Sequence, residues 1–170
     1  VTDANGCTTV AKGNVPQPAQ LVLSTTTKTN VDCNGGNNGS ITVAANGGTP
    51  LYAYSWSTGA AGTTINNLAA GSYTVTVTDS RGCTAFMTVG ITEPTLIVLN
   101  LSSTASSCGN ANGTATVGAI GGSPAYTYAW SPSGGSGTTA SNLTAGGYNV
   151  TVTDSRGCTM VGNVVVSNSS

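Results

Sequence analysis

Five cysteines, Cys7, Cys33, Cys83, Cys108 and Cys158, are the residues of this 170-residue chain best equipped for chemistry. Thiols can hold a metal or close disulfides, and spacing chooses between the two. The chain has no histidine and no CxxC pair to complete a tetrahedral metal site. Cys33 and Cys83 stand 50 residues apart, as do Cys108 and Cys158. The equal intervals predict two disulfides, Cys33–Cys83 and Cys108–Cys158. Cys7 lies in the register of Cys83 and Cys158, which predicts a partner for it upstream of Val1.

The acidic residues offer less. Asp3, Asp32, Asp79, Glu93 and Asp154 are the five carboxylates. General acid–base work calls for a histidine or a carboxylate pair in a pocket, and a serine or cysteine nucleophile calls for an adjacent base. Neither arrangement is suggested, so no enzyme and no cofactor is expected. Calcium takes six to eight oxygens, commonly several of them carboxylate. Asp79 and Asp154 are the first candidates for it, although a turn role explains them with fewer assumptions. Asn38, Asn112 and Asn142 head N-x-S/T triplets, as do Asn100, Asn149 and Asn168, and the first three are candidate glycosylation positions.

What positions the cysteines is a repeat. VTDANGC opens the chain at residue 1, and VTDSRGC starts at 77 and again at 152, a period of 75 to 76 residues. GGTPLYAYSW (47–56) returns as GGSPAYTYAW (121–130), and PAQLVLS (18–24) returns as PTLIVLN (94–100). The chain therefore divides into a tail, 1–18, and two repeats, 19–94 and 95–170. The tail reads as the last strand of a preceding repeat.

Within each repeat the alternation is that of strands. In Tyr73-Thr-Val75-Thr-Val77-Thr-Asp79, apolar residues and threonines strictly alternate, as a strand with one buried face requires. Tyr52, Tyr54 and Trp56 fall on every second position, as do Tyr126, Tyr128 and Trp130. They are expected to face the core, with Ile41, Val43, Phe86, Val89 and Ile91 and a bulge between Phe86 and Val89. Asp79-Ser-Arg-Gly82 and Asp154-Ser-Arg-Gly157 carry the Asp and Gly of a type I turn with a glycine bulge. Leu68-Ala-Ala-Gly71-Ser-Tyr73 and Leu143-Thr-Ala-Gly146-Gly-Tyr148 resemble the tyrosine corner of immunoglobulin-like sandwiches. The fold expected is all-β: tandem immunoglobulin-like sandwiches, each with its own disulfide.

Composition limits the setting. Charged residues are 5% of the chain and the net charge is −1, too little positive charge for nucleic acid. Disulfides persist in oxidising compartments, which points to an extracellular protein.

Together, NGSITV, GGTPLYAYSWSTG, INNLAAGSYTV and VTDSRGCT resemble the SprB repeat, found in tandem in very large surface adhesins of gliding Bacteroidota. The resemblance spans both repeats and the tail. It implies export, typically by the type IX route, and a role in adhesion at the cell surface. The function expected is a structural repeat segment of a long extracellular adhesin or surface filament, a stiff rod for attachment or gliding. Its partners would be neighbouring repeats, identical chains in a bundle, and a surface or glycan ligand. Two alternatives stand beside this reading. Residues 1–18 could insert as a donor strand into a neighbouring chain, making a polymerising subunit. The Tyr52/Tyr54/Trp56 ladder could stack on sugar, making a carbohydrate-binding module.

Overall fold

A computed structural model describes residues 1–169; Ser170, the end of the second repeat, lies outside the described residues. The described residues form fourteen strands and no helix. Six of them build the first repeat: β1 (Val22–Thr29), β2 (Gly39–Asn46), β3 (Ala53–Trp56), β4 (Thr64–Leu68), β5 (Gly71–Thr78) and β6 (Thr84–Ile91). They pair antiparallel into two sheets, β1-β2-β4 and β3-β5-β6. The chain crosses from the first sheet to the second after β2, returns for β4 and crosses again for β5. This is the connectivity of an immunoglobulin-like sandwich.

The second repeat follows the same plan. Its strands are β7 (Val98–Thr104), β8 (Ser106–Ser107), β9 (Gly113–Ile120), β10 (Thr127–Ser131), β11 (Thr139–Leu143), β12 (Gly146–Thr153), β13 (Thr159–Val166) and β14 (Asn168–Ser169). The sheets are β7-β9-β11 and β10-β12-β13, with β14 beside β8 as a short parallel pair.

Each sandwich has its own core. Ile41, Val43, Trp56, Val75, Val89 and Ile91 are buried together in the first, and Val117, Trp130, Leu143, Tyr148, Val150 and Val166 in the second. The aromatic ladders divide by depth. Trp56 and Trp130 are buried, and each indole N–H donates to a carbonyl, of Gly62 and Gly137, at 2.9 Å. Tyr52, Tyr54, Tyr126 and Tyr128 are half-buried. Tyr73 and Tyr148 close tyrosine corners, their hydroxyls donating to the carbonyls of Ala69 and Thr144 four residues upstream.

Phe86 departs from expectation: it is 77% exposed. The β5–β6 ladder runs without a bulge, Tyr73 opposite Val89, Val75 opposite Met87 and Val77 opposite Ala85. Because the buried residues of β5 fix the parity of their partners, Val89, Met87 and Ala85 face inward and Phe86 faces out. The link between the repeats is six residues long. It runs over 92–97, between the end of β6 and the start of β7. Backbone hydrogen bonds nevertheless hold it, Val31 N–H to Thr92 C=O at 3.0 Å and Gly122 N–H to Thr95 C=O at 2.8 Å.

Ile41→Ala is expected to lower stability in urea by about 2–5 kcal/mol through lost burial and a residual cavity. Phe86→Ser should stay within about 0.5 kcal/mol, as an exposed substitution does. Equal losses for the two variants would place Phe86 in the core.

Candidate functional site

The chemistry of this chain lies where its two sandwiches meet. Strand directions set the stage. β1 runs away from the end of the sandwich at which the chain enters, and the loop after it carries Cys33 to the far end, beside Thr92 and Pro94. β5 runs the opposite way, so the β5–β6 hairpin returns Cys83 to the entry end, beside Thr49. A strand of eight residues separates the two ends, roughly 26 Å at 3.3 Å per residue. A disulfide requires Cα atoms closer than about 7 Å. The expected Cys33–Cys83 and Cys108–Cys158 bonds are therefore replaced.

The bond that forms is Cys33–Cys158, between the far end of the first repeat and the entry end of the second, with Cα atoms 5.5 Å apart and a sequence separation of 125. Cys7, Cys83 and Cys108 are exposed free thiols. In the chain-entropy picture a bridge over so long a loop contributes roughly 4–5 kcal/mol against complete unfolding.

Polar contacts surround the bridge. Arg156 Nη1 lies 3.2 Å from Asp32 Oδ1 across the seam, with both side chains about half exposed, so the pair adds little. Asn34 Nδ2 donates to Glu93 Oε1 at 3.0 Å and to the Pro94 carbonyl at 3.1 Å, and Gly35 N–H donates to Glu93 Oε2 at 2.6 Å. These contacts bind the Cys33 loop to the linker. Between the loop and the second repeat lies a cavity of about 300 Å³, bounded by Cys33, Asn34, Pro94–Ile97 and Cys158.

The VTDxxGC phrase sets the cysteine on the other side. Asp154 is 5% exposed, and its Oδ1 accepts the N–H groups of Arg156 and Cys158, each at 2.9 Å. Its Oδ2 accepts Ser123 N–H at 2.8 Å. Gly157, at φ +84°, takes the left-handed position of the turn. Asp79 repeats every bond, to Arg81, Cys83 and Thr49. Asp3 makes the local part of the pattern to Asn5 and Cys7. The bond to Thr49 or Ser123 is what sequence reasoning missed. It ties the hairpin to the GGTP or GGSP loop, and the paired glycines were the available signal. A Cβ on Gly122, itself at φ +58°, would sit 2.7 Å from Asp154 Oδ2, and one on Gly121 would collide with the Leu96 carbonyl.

These N–H donors also bear on the calcium candidates. Carboxylate oxygens already aimed at by amide hydrogens present little to a cation, and no cluster of three or more potential ligands occurs among the described residues. The Thr49 N–H does most to hold Asp79 below the usual carboxylate range, against burial, with Cys83 and Arg81 assisting. For Asp154, burial is the strongest single influence and pushes upward. The N–H groups of Ser123, Cys158 and Arg156, with the Arg156 charge, outweigh it and leave the pKa lowered.

The candidate glycosylation positions have structural work. Asn38 Oδ1 accepts Asp32 N–H at 3.0 Å, and Asn112 Oδ1 accepts Ser107 N–H at 2.9 Å. Each side chain braces the loop that carries Cys33 or Cys108. Asn142 sits in β11 with a left-handed backbone, φ +57°.

The comparison with protein families finds one repeat model, twice. Residues 25–61 and 100–137 match the model of the SprB repeat. These two segments, one in each sandwich, are similar to the SprB repeat. The first match runs over most of β1 with β2 and β3, and the second over most of β7 with β8, β9 and β10; each includes the cysteine loop and the aromatic ladder. No curated protein matches the sequence. Among solved structures, the chain is similar to a fragment of intimin in complex with the intimin-binding domain of its translocated receptor (14% identity, TM-score 0.45, 88% of this chain and 64% of that one). It is also similar to the N-terminal eight immunoglobulin domains of Down syndrome cell adhesion molecule (14%, 0.40, 88% and 25%). A third is domains 1–6 of the surface layer protein SbsC (16%, 0.37, 92% and 29%). The chain thus spans a quarter to under two thirds of these structures.

Asp79 and Asp154 both have folded pKa values below their ordinary one. Their contribution is complete above the unfolded value, near pH 4, and is lost as pH falls through the folded pKa. Thermal scans should therefore show Tm falling below about pH 4, with a shallower fall in the Asp79→Asn/Asp154→Asn double variant. An unchanged slope in that variant would assign the acid sensitivity elsewhere.

Proposed function

We propose that the chain is a structural repeat segment of a long extracellular adhesin or cell-surface filament, in which consecutive SprB repeats are locked end to end as a stiff rod. The observation that carries this reading is the Cys33–Cys158 bond, which joins the far end of one sandwich to the entry end of the next. A disulfide persists outside the reducing cytosol. Pro94 in the linker and the Asn34–Glu93 contact restrict the joint further. Each repeat would advance such a rod by roughly 35–45 Å, a strand length plus its loops.

A rod of this kind suits attachment or gliding by a bacterium that exports the protein, typically by the type IX route. Its partners would be neighbouring repeats, identical chains alongside, and a surface or glycan ligand carried elsewhere on the adhesin. The alternatives draw less support. Trp56 and Trp130 are buried with their indole N–H groups engaged, which leaves them unsuited to stacking on sugar. β6 and β13 already complete the two sandwiches, so an inserted strand has no missing place to fill. Residues 1–18 are exposed, with the Thr2–Thr8 bridge as their pairing.

Small-angle scattering of the oxidised chain should give one sharp maximum dimension. Reduction, or Cys33→Ser with Cys158→Ser, should broaden the distance distribution while both sandwiches stay folded. Antibody should label intact, unpermeabilised cells. A distribution indifferent to reduction, or label confined to the cytoplasm, would count against the rod at the surface.

A further inference from the structure

We infer that Cys83 and Cys108 are the two halves of the same inter-repeat bond, waiting for partner repeats, so that a second copy of this chain docks head to tail through Cys108–Cys83. The inference rests on the reading of the chain as part of a tandem array, and it names the partner that each exposed thiol takes.

The argument begins with equivalence. Cys108 follows β7 as Cys33 follows β1, and Cys83 closes the β5–β6 hairpin as Cys158 closes the β12–β13 hairpin. The bond already present joins one cysteine of each kind. A joining of this type leaves one of each kind over in any pair of repeats, at opposite ends. Cys83 is at the entry end of the first repeat and Cys108 at the far end of the second, and both are exposed.

The surface around Cys83 supplies the second observation. Pro18–Leu21, Gly48, Asp79 and Cys83 line a cavity of about 180 Å³. Their counterparts, Pro94–Ile97, Gly122, Asp154 and Cys158, line the cavity where the Cys33 loop docks. The backbone is braced alike at both places, Gly48 N–H to Ala19 C=O at 2.7 Å and Gly122 N–H to Thr95 C=O at 2.8 Å. The first repeat therefore presents the receiving half of the seam with no loop seated in it. At the other end, Asn112 braces the Cys108 loop as Asn38 braces the Cys33 loop. One element is absent from the second joint. Ser107 stands where Asp32 pairs with Arg156, so Arg81 meets no carboxylate there. The disulfide must carry the new joint without that half-exposed ion pair.

Bond formation is thiol–disulfide exchange with a small-molecule or enzyme disulfide as oxidant. The thiolate of one cysteine attacks a sulfur of the oxidant; that S–S bond breaks and a thiolate leaves. The second cysteine thiolate attacks the mixed disulfide and expels the other half. Two protein thiols become one disulfide, two protons are released, and the oxidant is reduced to two thiolates.

The test uses two full-length chains in a Cys7→Ser background, which removes the third thiol. One carries Cys83→Ser and keeps Cys108; the other carries Cys108→Ser and keeps Cys83. In an oxidised/reduced glutathione buffer each alone should stay at the 16.6 kDa chain mass. Their mixture should yield a covalent heterodimer of twice that mass, and the chain retaining both thiols should give a ladder of multiples. Peptide mapping for Cys33–Cys158 in each variant checks that the existing joint is intact. Homodimers as abundant as heterodimer, or no heterodimer while Cys33–Cys158 is present, would overturn the proposal and leave the rod reading standing. Loss of Cys33–Cys158 itself would overturn both.

Discussion

Two small sandwiches are held in register by one sulfur–sulfur bond, and the rest of the seam is arranged around it. Domains of this size bury only a modest share of their surface and commonly rely on cross-links. Here the cross-link stands outside the cores. Each core closes on its own through a tryptophan, a tyrosine corner and a set of β-branched residues. The covalent bond fixes the relation between neighbours. Hence the Cys33 loop and the VTDSRGC hairpin are the most elaborately braced parts of the surface. Asn38 and Glu93 brace the former, and Asp154, Ser123 and a pair of glycines the latter.

This division of labour gives the aspartate of VTDxxGC a mechanical meaning. Its carboxylate collects three backbone N–H groups, two from its own turn and one from a loop in the neighbouring sheet connection. A carboxylate so surrounded is favoured in its charged form, and it orders the turn that aims the cysteine. Asp3 lacks the long-range bond and is exposed, so the same seven-residue phrase folds locally without being anchored. The phrase supplies the hairpin; the GGTP or GGSP loop supplies its orientation.

Much of this was legible in the residues alone. Strand alternation located the buried faces of β2 and β5, the Leu-x-x-Gly-x-Tyr pattern located the corners, and the Asp and Gly spacing located the hairpins. Phe86 misled because a lone large apolar residue outweighed parity, which its partner strand β5 sets. The disulfide misled for a different reason. In an array with a period of 75 residues, partners 50 and 125 apart satisfy the same repetition, since the two intervals differ by one period. Periodicity cannot choose between them. Strand direction can, because β1 and the β5–β6 hairpin deliver their cysteines to opposite ends of one sandwich.

Non-reducing tryptic mapping of the oxidised chain tests that choice most directly. Cleavage after Lys28, Arg81 and Arg156 leaves Cys33 in residues 29–81, Cys83 and Cys108 together in 82–156, and Cys158 in 157–170. The expected product links 29–81 to 157–170. A link of 29–81 to 82–156, with 82–156 joined in turn to 157–170, would place the bonds inside the repeats and contradict the account.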